Sequence, residues 1–208
     1  MTNNSIPQQA GKELWETRYS APAFAFGKEP NAFFKSVIDS MTPGRILVPA
    51  AGEGRDAVYA ATIGWDVSAF DLSDAGLEKA NALAAEKNVQ IAYQVADATT
   101  VQYDAGSFDM VACVFFHLPS AMRPAFYANV KKWLKPGGVL VIEAFTPGQL
   151  QHTSGGPGEL DRLLTAAALQ EELQEFQFRF IEERETMLNE GLYHVGMASV
   201  VDCIAANA

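Results

Sequence analysis

Along this chain, short apolar runs alternate with longer stretches in which apolar positions recur every three or four residues. The first pattern marks strands and the second amphipathic helices. Residues 45–49 read as a first strand, set off by the turn signal Pro43-Gly44. A helix follows from Arg55 to about Ile63 and is ended by Gly64. Residues 66–70 form a second strand, and Ser73 caps a helix over 74–87. Residues 89–95 give a third strand. Residues 107–116 give a fourth, apolar throughout and so expected at the centre of a sheet. Ser120 is expected to cap a helix over 121–134, which Pro136-Gly137-Gly138 stops before a fifth strand at 139–145. Strand and helix in strict alternation predict an α/β protein with a largely parallel sheet.

The two ends of the chain differ from this. Residues 1–10 read as a mobile tail, and 11–20 as a short helix carrying Trp15, Arg18 and Tyr19. Pro30 and Asn31 open a helix with Phe33, Phe34, Val37 and Ile38 on its apolar face. After a Gly/Pro-rich loop at 146–159, Thr165 caps another helix. Phe176, Phe178 and Phe180 alternate with polar residues, Asn189-Glu190-Gly191 is a turn, and 193–205 is a long last strand. Two strands joined by a tight turn run antiparallel, so the chain is expected to finish in a hairpin.

Length and charge narrow the function. A chain of 208 residues is expected to form one domain, with little left over for a second. Fifteen Lys and Arg stand against 25 Asp and Glu, a formal net charge of −10, which disfavours nucleic acid and anionic membranes as partners. No run approaches the roughly 20 apolar residues of a membrane span, and the first residues are polar. A cytoplasmic protein is expected. Cys113 and Cys203 sit in apolar runs without a CxxC, and His117, His152 and His194 are dispersed, so no metal site is expected.

Candidate chemistry gathers at strand ends. The loop Pro49-Ala50-Ala51-Gly52-Glu53-Gly54-Arg55-Asp56 lets the backbone turn sharply and approach a ligand, with helix amides aimed at the same place. A tight turn without a ligand is the alternative. Asp71 ends the second strand 17 residues past Gly54, where an acid can accept hydrogen bonds from ribose hydroxyls; a surface turn is the alternative. Asp97-Ala98 ends the third strand and suits an adenine amine, or else a cap. Phe115-Phe116-His117 ends the fourth.

In this order, with Phe108-Asp109 and Leu134-Lys135-Pro136-Gly137-Gly138, the features resemble the class I S-adenosyl-L-methionine (SAM)-dependent methyltransferases. The resemblance covers about residues 12–205 and is strongest to the tellurite-resistance and thiopurine methyltransferase-like branch. Its carriers are Trp15-x-x-Arg18-Tyr19, residues 26–31, Gly52-Glu53-Gly54-Arg55-Asp56, Glu143-Ala144-Phe145-Thr146-Pro147 with Gln149-Leu150, Glu190-Gly191 and His194-x-Gly196. The strand Leu47-Val48-Pro49-Ala50-Ala51 lacks the acid and the first glycine common in class I; thiopurine methyltransferases similarly read Val-Pro there.

The resemblance implies a Rossmann-like seven-stranded sheet, six strands parallel and the last antiparallel, with helices on both faces. It implies SAM as cofactor, with S-adenosyl-L-homocysteine as product. The expected cofactor contacts are Trp15, Tyr19, Ala50, Gly52, Gly54, Arg55, Asp71, Leu72, Asp97, Ala98 and Phe115. Arg18, His117 and His194 are the catalytic candidates, with Arg184 a further candidate for the acceptor. Residues 1–30 are expected to act as tail and lid, and 146–160 as the acceptor-side loop. The expected acceptor is a small soft nucleophile, a tellurite- or selenite-type oxyanion or a thiol. Methylation of a small-molecule oxygen or nitrogen, or SAM binding without turnover, are the alternatives. A monomer or homodimer is expected.

Overall fold

The computed structural model describes residues 6–208, with side chains from Gly11. Of the expected tail, residues 1–5 lie outside the described residues, and the rest belongs to helix α1 (Ile6–Tyr19). After α2 (Ala32–Ile38) come β1 (Arg45–Pro49), α3 (Arg55–Thr62), β2 (Asp66–Asp71), α4 (Asp74–Glu86) and β3 (Ala92–Val95). Then follow β4 (Phe108–Val114), α5 (Arg123–Trp133), β5 (Leu134–Phe145), two short 3₁₀ turns, α6 (Ala166–Glu172), β6 (Phe176–Glu190) and β7 (His194–Asn207). No described helix is long and apolar enough to cross a membrane.

The strands form one sheet in the order β3-β2-β1-β4-β5-β7-β6. β7 runs antiparallel to both neighbours, and the other pairings are parallel. The expected six-plus-one arrangement is therefore the observed one. Alternation along each strand feeds two cores. Ile46, Val48, Met110, Ala112 and Val141 pack under α2 and α3 with Phe34, Ile38 and Ala57. Leu47, Val111, Cys113, Leu140 and Ile142 face α5 and α6, with Phe126, Trp133 and Leu169.

Three boundaries depart from the sequence reading. The fifth helix begins at Arg123 with no side-chain cap, because Ser120 hydrogen-bonds Asp161 instead. Pro136-Gly137-Gly138 does not separate helix from strand. It lies inside β5 as a bulge, between the pairs Phe108–Leu134 and Met110–Val139. The third strand is only four residues long, since Val89 still hydrogen-bonds back to Ala84 at the end of α4.

Asp109 explains why its motif and the Lys135 turn occur together. Its carboxylate accepts the Arg45 N–H at 2.8 Å and pairs with Lys135 at 2.8 Å, tying the starts of β1, β4 and β5. These links leave the carboxyl-terminal strand ends free to build a site, as open α/β sheets do.

Candidate active site

The chain leaves β1 in left-handed backbone, with φ of 49° at Ala50, 53° at Gly52 and 87° at Gly54. Ala50 holds this conformation at a cost of about 1 kcal/mol that glycine would avoid. Gly52 N–H donates to Asp71 Oδ2 at 3.0 Å, and Gly52 C=O accepts the Tyr93 hydroxyl at 2.7 Å. Asp71 Oδ1 accepts the Ser73 N–H at 3.1 Å. Burial pushes the Asp71 carboxyl up, and backbone donors from Ser73, Gly52 and Leu72 offset part of that. A carboxylate offers about four acceptor sites, so capacity remains for hydroxyl donors.

Above the loop lies α1. A Cβ at Gly52 would come within 2.7 Å of the Tyr19 hydroxyl, so glycine is required there. Tyr19 is buried, and Trp15 stacks on it with ring centroids 5.5 Å apart. Glu16 accepts from Ser73 Oγ at 2.6 Å and Ala75 N–H at 3.1 Å, fixing α1 on the first turn of α4. A strand-end carboxylate, small residues at 50, 51, 52 and 54, and an aromatic roof together fit a nucleoside.

The other charged residues of the loop face a different way. Glu53 accepts the Ala25 N–H at 2.7 Å and pairs with Lys79 at 2.7 Å. Arg55 donates to Phe26 C=O at 3.0 Å and pairs with Glu190 at 2.9 Å. Asp56 accepts the Asn31 N–H at 2.7 Å. Residues 23–31 thus form a strap bound along its length to the loop. The strap in turn holds the β6–β7 turn, because Ala25 C=O accepts from Leu192 N–H and Tyr193 N–H at 2.8 and 3.2 Å. A Cβ on Gly191 would come within 2.3 Å of Gly27 N, so strap and turn meet backbone to backbone.

Arg55 is therefore corrected from a cofactor contact to a buried clamp, its guanidinium engaged by Phe26, Asp56 and Glu190. Ala98 turns its methyl into the core with Phe70 and Val111. Asp97 accepts from Thr99 N–H at 2.7 Å and from the Thr99 hydroxyl, in a turn at the end of β3. Leu72 lies beside Asp71, half-buried.

On the acceptor side, Phe115 is held in left-handed backbone at φ 50°, stacked 4.5 Å from Phe145. His194 lies against Phe26 at 4.4 Å and Phe115 at 4.6 Å. The Arg18 guanidinium lies between Trp15 and Tyr193, 5.0 and 4.4 Å from their ring centroids, a double cation–π contact. It makes no ion pair with a carboxylate among the described residues.

His117 is corrected from catalytic candidate to structural link. Its Nδ1 is 2.9 Å from Arg162 C=O and its Nε2 accepts the Phe145 N–H at 3.3 Å, so neither nitrogen is left for a substrate. Burial pushes its pKa down to about 4, in keeping with a neutral ring. Arg184 is likewise engaged by carboxylates of its own sheet: it pairs with Asp202 at 2.6 Å and Glu143 at 3.4 Å across β6, β7 and β5.

Residues 46–138 match the methyltransferase domain family. The fold of the whole chain is that of the class I SAM-dependent methyltransferases. Thiopurine S-methyltransferase of Legionella pneumophila is 24% identical over 89% of this chain and 94% of that protein. TehB of Haemophilus influenzae, a probable SAM-dependent methyltransferase, is 27% identical over 78% of this chain and 57% of its own. Its crystal structure superposes with a TM-score of 0.70 over 95% of this chain and 67% of that one, at 17% identity. Phosphoethanolamine N-methyltransferase 1 of Triticum aestivum is 30% identical over 59% of this chain, which spans a quarter (25%) of that protein.

In this fold the sequence-predicted residues separate into two groups. Trp15, Tyr19, Ala50, Gly52, Gly54 and Asp71 gather around one loop, and Arg18, Phe115 and His194 gather around the strap. Glu53, Asp56, Asn31 and Glu190 carry the connection and were not among the candidates. Their signal was the density of charge directly beside two glycines, where a solvated turn would have served.

Proposed function

We propose that the chain transfers a methyl group from SAM to a small, soft nucleophile, a thiol or a selenite- or tellurite-type oxyanion. The observation that carries this reading is the β1 loop, where Gly52 closes onto Asp71 beneath the Tyr19–Trp15 pair. Asp71 would hold the ribose hydroxyls, Asp97 the adenine amine, and the backbone of residues 50–54 the methionine portion. Arg18 would face the methionine carboxylate or an anionic acceptor. Trp15 and Phe115 would lie against the sulfonium, where aromatic faces attract positive charge.

SAM, once bound, supplies an electrophilic methyl group on sulfur. The protein's own part is alignment and exclusion of water. Phe26, Phe115 and Phe145 supply the apolar walls, and the strap closes the cleft from above. A relative that spans nearly the whole chain is named for S-methylation of thiopurines, which supports sulfur as the acceptor atom. The match to phosphoethanolamine N-methyltransferases favours a second reading, methylation of a small-molecule nitrogen or oxygen.

Calorimetry with SAM and S-adenosyl-L-homocysteine tests cofactor binding, and its absence at millimolar cofactor would sink the proposal. Product analysis with thiols, selenite, tellurite, amines and phenols separates the acceptor classes. Methyl transfer confined to amines or phenols would replace the first reading with the second.

A further inference from the structure

Two histidines approach the same aromatic wall, and their hydrogen bonds set them apart. His194, at the start of β7, has its Nδ1 3.2 Å from Glu190 Oε2. Glu190 also pairs with Arg55 at 2.9 Å and accepts from Asn31 Nδ2 at 3.2 Å. Burial alone would raise the Glu190 carboxyl, but the His194 hydrogen bond and the Arg55 charge outweigh it and hold the group below its ordinary range. An ionised carboxylate only accepts, so the Nδ1 of His194 carries the proton. Nε2 keeps its lone pair, and no described residue hydrogen-bonds to it. Beside that nitrogen runs the backbone of Gly155, where a Cβ would come within 3.2 Å of Nε2 and 2.7 Å of Cδ2. The hydrogen bond fixes the proton on Nδ1, burial favours the neutral ring, and Nε2 is then left as an acceptor beside a neighbour without a side chain.

We infer that Glu190 is a positioning residue that fixes His194 as the proton acceptor for methyl transfer, so that the acceptor is a thiol rather than an oxyanion that arrives charged. The inference rests on the proposed methyltransferase reading and deepens it. As a sulfur lone pair of the acceptor bonds to the methyl carbon, the bond from that carbon to the donor sulfur breaks and its electron pair stays with the donor. The acceptor S–H proton passes to His194 Nε2, and the imidazolium so formed faces the Glu190 carboxylate. Burial holds His194 below its ordinary pKa, with the Glu190 hydrogen bond offsetting part of the shift. Such a base is weak. It suits a thiol, whose pKa lies near 8.5, far better than an alcohol. The charged and titratable groups facing it are Glu190 from β6, Arg55 from α3, Arg18 from α1 and His117 beyond β4.

Imidazole nitrogen NMR of the ligand-free protein reads the arrangement without turnover. With only three histidines, His152→Gln and His117→Gln assign the signals. His194 is expected as the Nδ1–H tautomer, titrating below 6.5, and Glu190→Gln is expected to mix the tautomers and lower the midpoint further. An Nε2–H tautomer, or one unmoved by Glu190→Gln, overturns the inference.

Kinetics with a thiol panel supply the second reading. The wild-type rate should fall on acidification with the NMR midpoint. Glu190→Gln should move that limb to lower pH, and His194→Gln should abolish it and cost about a hundredfold in kcat, with SAM affinity by calorimetry unchanged. A pH-independent wild-type rate, unchanged turnover in His194→Gln, or turnover of oxyanions alone overturns the inference while leaving cofactor binding intact. Loss of SAM binding in the wild type overturns the underlying reading instead, and the calorimeter reports that separately.

Discussion

The two sides of the cleft are built by different means. The side we propose for the cofactor is made of backbone: Asp71 accepts N–H groups from Gly52 and Ser73, both within 19 residues along the chain. The side we propose for the acceptor is held by buried polar and charged side chains from distant parts of the sequence. Asn31 reaches Glu143 across 112 residues and Glu190 across 159. A loop that must accept a common nucleoside needs only small residues and one acid. A wall that must suit one acceptor is held by pairs whose partners can change together.

The contrast breaks most severely at Arg55, where both sides meet. Arg55→Met leaves Asp56 and Glu190 buried without their cation, and about 3–5 kcal/mol of stability should be lost in denaturant unfolding. A loss under 1 kcal/mol would mean that the clamp does not hold the strap.

Next in size is Asp71→Ala. It should weaken SAM binding ten- to a hundredfold, since hydrogen bonds to charged groups contribute about 1.5–3 kcal/mol. It also strands the Gly52 N–H. Thermal melting alongside calorimetry separates the two effects.

Buried carboxyls are pushed up on both sides, Asp71 on one and Glu143 on the other, and the shift at Glu143 is the large one. Burial, and then the adjacent Asp202, push Glu143 up to about 8. The two residues are directly opposite each other on β5 and β7. A carboxyl raised in the folded state favours folding at low pH, and that contribution is lost as pH rises from about 4.5 through 8. Thermal midpoints should fall over that window, and Glu143→Gln, which copies the protonated form, should flatten the curve. An unchanged slope would place the proton elsewhere.

Smallest is Lys12→Ala. Its pair with Asp74 is exposed on both sides, and surface pairs contribute at most about 1 kcal/mol, so melting should barely move.

The same contrast governs what the sequence revealed. The succession of strands and helices and the closing hairpin follow from local periodicity and turn signals, and both were legible. His117 and Arg55 looked functional because their chemistry suits a cleft, yet each is satisfied by partners no local pattern announces, Arg162 and Glu190. Ser120 failed as a cap for the same reason, since Asp161 competes for its hydroxyl from 41 residues away.

The strap also sets an order of events in time. Its partners include Leu192 and Tyr193, more than 160 residues further along the chain, so the cleft cannot close until the β6–β7 turn has been made. The β1 loop and Asp71 lie only 19 residues apart and can come together long before. Joining residues 159 positions apart is slow relative to local pairing. Maturation of this protein should therefore show two phases, an early one that builds the β1–β2 scaffold and a late one that delivers the acceptor wall.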